Sequence, residues 1–467
     1  MNNAGTFAEN VTVRLKAHEV KLGLNYLFNA GNFNPVVPSA PQSKKNEPEP
    51  QRLGLPAPLD SPPFPSADWP LGGSQLIGVP DTAVGPLMKW IYDGPNGQAW
   101  KDSRIKIYGW AEVGANASTS TQSLAPAGYP IHPNRVELDQ FVFRIERLPD
   151  TAQKDHVDWG FNVTNVYGLD YRYTIMKGIF SDQLLAKKRT YGYDVPTFYG
   201  ELYFPQIAEG MNVRIGRYLS VPDIETQMAP GNYLYTHSLL YIFDPFTQMG
   251  IVNTVKLNDQ WLIQFGAHAG NDVAPWETDA KFTPMACVRW TSKDNTDSIY
   301  PCVNSINNGK YAYDNIQMFV NTWSHKFNDT WNMQTEFYYT YQRDVPSMSG
   351  PLPIEPNTNG AVCPPGQITC FAPAWAIVNY QNFKISKTDY LVLRNEYFDD
   401  VRGQRTGTQT SYSTHSIGWG HWFNVWGENT GLFRPELRYE HSYNAPAYNL
   451  GTRKDQLIVA ADVIFLY

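Results

Sequence analysis

The connections in this chain are sorted by length, and that ordering constrains the fold more than any single motif does. From residue 104 to the end, stretches of period-two alternation are separated by two kinds of connection that take turns. Short ones, carrying Asn, Asp and Gly, fall at 208–211, 257–260, 293–296, 327–330, 385–388 and 427–431. That chemistry favours tight hairpins. Long ones, rich in Gly, Pro and Ser, fall at 116–134, 168–195, 219–246, 270–280, 305–313, 343–373, 401–412 and 444–453. A soluble sandwich has no reason to alternate its connections in this way. A membrane barrel has one, because one rim carries turns and the other carries loops. Strands laid between these connections number about 16, within a range of roughly 14–18, with both ends on the turn rim. The expected fold is all-β: a transmembrane antiparallel β-barrel over 104–467, with short periplasmic turns and long extracellular loops.

Alternation decides which face is wet. In "RPELRYEHSY" (434–443), Arg434, Glu436, Arg438 and Glu440 share one face, and Pro435, Leu437, Tyr439 and His441 share the other. In a membrane barrel lipid takes the apolar face and an aqueous lumen takes the charges. "RIKIYGWAEVG", "WLIQFGAHAG", "MQTEFYYTY" and "YLVLRNEYF" alternate in the same manner. No run of 18 or more apolar residues occurs, which excludes a transmembrane helix but not a barrel. The 29 Tyr, 14 Trp and 23 Phe suit aromatic girdles at the two membrane interfaces. A net charge of -7 argues against a nucleic-acid partner. No phosphate loop, dinucleotide fingerprint, zinc spacing or nucleophile elbow is present, so neither cofactor nor metal is expected.

The region before the barrel divides into three. Residues 1–30 alternate Val20, Leu22, Leu24, Tyr26 and Phe28, a pattern that resembles the closing strand of a small OmpA-like barrel. Met1 is not followed by a signal peptide, so the true start is expected upstream. Residues 31–75 are rich in Pro, Ser and charge and are expected to form an extended linker. Residues 76–103 are more apolar, with a short helix expected around 83–92 that docks at the barrel mouth or enters the lumen. At the far end "QLIVAADVIFLY" alternates and finishes on Tyr467, a terminal aromatic of the kind read by the outer-membrane insertion machinery.

The segments "IYGWAEVGANAST", "LDQFVFRIERLPDTAQKDHVDWGFNVTNVYGLDYRYT", "APGNYLYTHSLLYIFDPFTQMGIVNTVKLNDQW" and "RPELRYEHS" resemble the β-barrel porin-2 family, also called OmpL-like. The resemblance covers roughly 70–467 and is most distinctive at 230–250. It implies an outer-membrane pore for small hydrophilic solutes and no catalytic residues. Outer-membrane lipid and lipopolysaccharide are the implied surroundings, with the chain acting as monomer or homotrimer. The alternatives are a structural or adhesive barrel with a closed lumen, an outer-membrane enzyme, and a soluble glycan-binding β-protein. The histidines His237, His268, His325, His415, His421 and His441 are scattered without the spacing of a nucleophile's partners, which disfavours the enzyme.

Candidate site residues follow from position. The stretch 219–246 is too long for a turn and too apolar for a solvated loop. Either it folds into the barrel as a constriction, carrying Asp223, Glu225, His237 and Asp244, or it forms an extra strand pair, Tyr233–Phe243 with Phe246–Lys256, around a tight turn. The expected lumen charges are Lys106, Arg214, Arg289, Arg394, Arg434 and Arg438 against Glu112, Glu336, Glu396, Glu436, Glu440 and Asp462. They form either a basic ladder facing an acidic loop or mutually neutralised wall pairs. Glu436 and Glu440 lie about 13 Å apart on a strand, too far for a carboxylate pair in hydrolysis. The four cysteines are expected to be oxidised. Cys363 and Cys370 bracket a Pro-Pro-Gly in the longest loop. The hairpin centred on Asp294–Asn295 opposes Cys287 to Cys302; the competing pairing joins these two to Cys363 and Cys370 across loops.

Overall fold

The computed structural model describes residues 61–65, 77–179, 181–187, 189–220 and 223–467. The segment 1–30 and most of 31–75 lie outside the described residues, and with them the strand and linker expected there. Sixteen antiparallel strands close on themselves, each paired with its neighbours in sequence and the last with the first. The first eight are β1 (Lys106–Ser118), β2 (Val136–Arg147), β3 (Asp158–Gly168), β4 (Gly192–Phe204), β5 (Met211–Leu219), β6 (Thr247–Lys256), β7 (Trp261–Asn271) and β8 (Thr283–Thr291). The rest are β9 (Asp297–Ser305), β10 (Gln317–Asn328), β11 (Trp331–Pro346), β12 (Thr369–Lys384), β13 (Asp389–Asp400), β14 (Thr410–Phe423), β15 (Gly431–Ser442) and β16 (Asp455–Leu466). The alternative strand pair within 233–256 does not form. Residues 223–246 contain only a turn of 3-10 helix at Ala229–Gly231 and a short helix at Leu239–Ile242.

Period two holds around the wall. Leu437, Val459, Ile417, Ile377 and Phe337 face outward and are exposed, while Arg438 and Glu440 of β15, Arg394 of β13 and Glu336 of β11 are buried inward. Bare aromatics gather at both rims, as membrane interfaces require. On the turn rim, Phe327 stacks on Trp331 at 3.9 Å, and Trp331 on Phe383 at 5.9 Å. On the loop rim, Tyr341 meets Phe371 at 5.1 Å and Trp375 meets Tyr397 at 5.1 Å. The β2–β3 connection at 148–157 is a turn-side link that the Asn/Asp/Gly signals did not mark, being longer and held by Asp158. That carboxylate accepts from Asp150 N at 2.6 Å and pairs with Arg104 and Arg147.

The barrel closes along β1 and β16, from Trp110 opposite Leu466 to Ser118 opposite Ile458, and Tyr467 extends that ladder. Tyr467 N donates to Gly109 O at 3.0 Å, and its hydroxyl donates to Val142 O at 2.7 Å. Before the barrel, helices at Pro86–Tyr92 and Gly97–Ser103 sit at the turn rim. Pro86 opens the first of these, where a missing N–H is no loss. Met88 of this helix is fully buried.

The β8–β9 hairpin has the register expected from its turn: Cys287 opposes Cys302 and Trp290 opposes Ile299. Both disulfides are present, Cys287–Cys302 with Cα atoms 4.1 Å apart and Cys363–Cys370 at 5.6 Å. Cys287 and Cys302 face the lumen with Arg289, while Val288 and Ile299 face outward. A loop of this length restrains the unfolded chain by about 3 kcal/mol. The Cys287→Ser/Cys302→Ser double variant is therefore expected to shift from folded to unfolded mobility at lower temperature on unboiled gels than the parent. An unchanged transition would show that the bond carries no stability.

Candidate functional site

The third long loop, between β5 and β6, enters the lumen and is held there by charged side chains of the wall. Its backbone polar groups are buried and need partners. Gln140 of β2 donates to Gln227 O at 2.7 Å and accepts from Ala229 N at 3.2 Å. Arg434 of β15 donates to Ala229 O at 2.9 Å and to Asn232 O at 2.6 Å. Glu436 accepts from Thr236 N at 2.9 Å and from Thr236 Oγ1 at 2.7 Å. Arg394 and Arg438 donate to the carbonyls of Thr236 and His237 respectively. Glu336 of β11 accepts from Ile224 N at 2.8 Å. Where the loop turns into the helix Leu239–Ile242, the first amides point at Glu396, with Leu239 N at 3.0 Å from Oε2, and Ser238 Oγ accepts from Tyr241 N. A carboxylate on orphan helix-start amides satisfies both.

The expected lumen charges other than Lys106 are buried on the inward face of the wall, but they do not make an open basic ladder. Arg434 pairs with Asp462 and, at 3.2 Å, with Glu112; Arg438 pairs with Glu440 at 2.6 Å; Arg394 pairs with Glu436 at 3.2 Å. Arg214 pairs with Glu201 at 2.9 Å, and Arg289 donates to Ser298 at 3.2 Å. Lys106 sits at the turn rim, 2.6 Å from Asp81. The wall-pair alternative describes Arg214, Arg394, Arg434 and Arg438, and the last three also donate to the loop backbone.

The loop's own acids divide. Glu225 accepts from Ser238 N at 3.0 Å and from the Tyr380 hydroxyl, and lies 3.6 Å from Arg394. Burial opposes its ionisation, but His237, Arg394 and Tyr380 outweigh burial and hold its carboxyl down to about 2. Asp223 and Asp244 are buried in the lumen near Glu336. Burial first, then neighbouring carboxylates, pushes both well above the ordinary range. Their ionisation is disfavoured, which leaves Glu225 as the loop acid whose carboxylate form is favoured across from the arginines.

Two wall glycines, missed in the sequence, let the loop come close. A Cβ on Gly114 of β1 would lie 2.0 Å from the Tyr235 hydroxyl, and one on Gly418 of β14 would lie 2.2 Å from Leu234 Cδ2. Inward-facing glycine in a strand is the signal that could have found them. Tyr390, whose hydroxyl donates to Tyr233 O at 2.9 Å, and Asp139, which accepts from Tyr235 at 3.0 Å, were also missed. Above the loop, on the loop rim, lies a cavity of about 380 Å³. Its lining includes Tyr173, Phe243, Phe246, Arg172 and Arg405.

Overfilling a packed contact costs about 1–3 kcal/mol, so Gly418→Val is expected to dislodge the loop while the barrel stays closed. Chymotrypsin in detergent should then cut within 223–246 in the variant and not in the parent. Resistance equal to the parent would show that the close approach at Gly418 does not hold the loop.

A pH effect follows from His237, which stacks 3.6 Å from Tyr129 and 5.0 Å from Tyr241, with Nδ1 2.6 Å from Glu225. Burial pushes this imidazole below its ordinary value against the pull of Glu225, so the neutral ring donates from Nδ1. Its contribution is full above the unfolded value of about 6.5 and is lost as pH falls through the lower folded value. Hydrogen exchange over 223–246, corrected for intrinsic rate, should quicken from pH 7.5 to pH 5 in the parent and not in His237→Gln.

The family model described as "Putative beta-barrel porin-2, OmpL-like" matches residues 104–467. No curated protein matches the chain. Among solved structures, an anion-selective porin from Comamonas acidovorans is similar with TM-score 0.50 at 9% identity, covering 78% of this chain and 99% of that one. At that identity the likeness shows the fold alone. The outer membrane channel DcaP of Acinetobacter baumannii is similar at TM-score 0.48 and 9% identity, covering 78% of this chain and 97% of that one. OmpT of Vibrio cholerae, in its trimer form, is similar at 0.47 and 9%, covering 78% and 99%. The family match spans every strand of the barrel and the loop seated in it, so the chain belongs to the OmpL-like β-barrel porin-2 family and is a porin-like outer-membrane channel.

Proposed function

We propose that the channel admits small hydrophilic solutes by passive diffusion across a bacterial outer membrane, and that the third loop sets its narrowest section. The observation that carries this is the seating of that loop on Arg394 and Glu396 of β13 and on Arg434, Glu436 and Arg438 of β15, all inward-facing. A wall of paired charges solvates a solute without favouring one sign strongly. Lys106, Arg214, Arg289, Glu112 and Glu336 complete the proposed lining, and Glu440 neutralises Arg438. Asp223, Glu225, His237 and Asp244 are the polar groups of the constriction. Lipid and lipopolysaccharide surround the wall, and Tyr467 presents the insertion signal. A monomer or homotrimer fits equally, since each barrel closes on itself.

A second reading, a structural or adhesive barrel closed at rest, is favoured by one observation: Arg394, Arg438 and Glu440 are at most 1% exposed. Conductance separates the two. Hydrogen bonds to charged groups contribute about 1.5–3 kcal/mol each, so Glu396→Ala with Glu436→Ala should free the loop. The parent is expected to pass small ions and sugars in planar bilayers and swelling liposomes. The variant should show a unit conductance about two-fold higher or more, because the narrowest section widens. A parent that folds yet passes nothing would favour the closed barrel.

A further inference from the structure

Residues Ser61–Pro65, "SPPFP", lie inside the turn-side mouth of the barrel, in the region read from sequence as a free linker. Phe64 is 2% exposed, and Pro63 and Pro65 are buried with it. Its ring lies 5.9 Å from Tyr390 and 6.3 Å, edge-on, from Tyr233. Trp422 Nε1 donates to Pro63 O at 2.8 Å. Tyr390 and Trp422 are inward-facing residues at the turn ends of β13 and β14, and Tyr233 belongs to the seated loop. Tyr233 and Tyr390 are tied together by the hydroxyl–carbonyl bond already described. Gly420 makes room for this arrangement, since a Cβ there would lie 2.0 Å from the Tyr390 ring.

We infer that Tyr233, Tyr390 and Trp422 form a binding site for a short proline–aromatic peptide, and that the chain fills it with its own residues 61–65 as a turn-side plug beneath the third loop. The chemistry is that of proline-rich peptide recognition: aromatic walls for the rings, and an indole N–H for a proline carbonyl. Prolines flanking Phe64 restrict the segment before it binds, which lowers the cost of ordering it. A second anchor follows in sequence. Ile77 is buried against Gly210, and Gly78 N donates to Thr151 Oγ1 at 3.1 Å on the β2–β3 turn. Both anchors lie on the rim, so the occupant is tethered and its effective concentration at the cup is high. The blocking role rests on the channel reading; the site itself does not.

Two measurements on the full chain test these separately. In Phe64→Cys/Tyr390→Cys, mild oxidation and a non-reduced digest should yield a peptide joining positions 64 and 390. Two thiols open to maleimide in the folded protein would overturn the site. In Phe64→Ser, bilayer current should rise about two-fold or more over the parent, since a plug is lost from the path. A synthetic Ser-Pro-Pro-Phe-Pro peptide on the turn side should lower it again. Equal current in parent and variant, or no effect of the peptide, would overturn the plug. If neither these proteins nor the Glu396→Ala/Glu436→Ala variant conducts, the channel reading fails, and the cross-link alone decides the site.

Discussion

The interior of this barrel is governed by one requirement: backbone amides and carbonyls brought into a lumen must find partners there. A loop of ordinary polarity would leave them to water. Here the third loop is largely apolar, with Tyr233, Leu234, Leu239 and Leu240 buried. Its polar backbone is answered by arginine forks and carboxylates projecting from the wall. Guanidinium groups suit this work because one side chain can serve a wall carboxylate and a loop carbonyl together. Arg434 does so with Asp462 and the carbonyls of Ala229 and Asn232. Charge in the lumen thus has a structural use before any effect on a passing ion. Breaking one partner leaves another buried and unpaired, which is the costly direction for such networks.

Much of the barrel was legible in the sequence because its rules are local. Inward and outward faces follow from period two, so the assignment of Arg434 through Glu440 needed no tertiary knowledge. The turn "KDNT" gave the register that opposes Cys287 to Cys302, since a hairpin's pairing is determined by its centre. The choice between a strand pair and an inserted loop at 233–256 was not local. Alternation there is interrupted, and what decides the outcome is whether wall groups two hundred residues away can satisfy the loop.

The same non-locality hid the rest of the site. Nothing near Gly114 or Gly418 announces Tyr235 or Leu234, because a glycine in a strand also marks bulges and bends. Asp223 and Asp244 read as charges on paper; only their burial beside Glu336 pushes their carboxyls above the ordinary range. The segment 61–65 reads as a spacer because prolines exclude regular structure, yet regular structure is not what its aromatic cup demands.

The seated loop also bears on how a cylinder made from one strip stays shut. In any such cylinder the joint between first and last strands is bridged by no chain connection. The loop lies across this joint: it touches β2 through Gln140 and β15 through Arg434, whose guanidinium holds Glu112 of β1 and Asp462 of β16 together. What narrows the passage is therefore also an internal clasp over the seam. An opening that required the loop to leave altogether would unfasten the cylinder at this seam, whereas a shift of the loop's far end, around Phe243, would leave the clasp fastened.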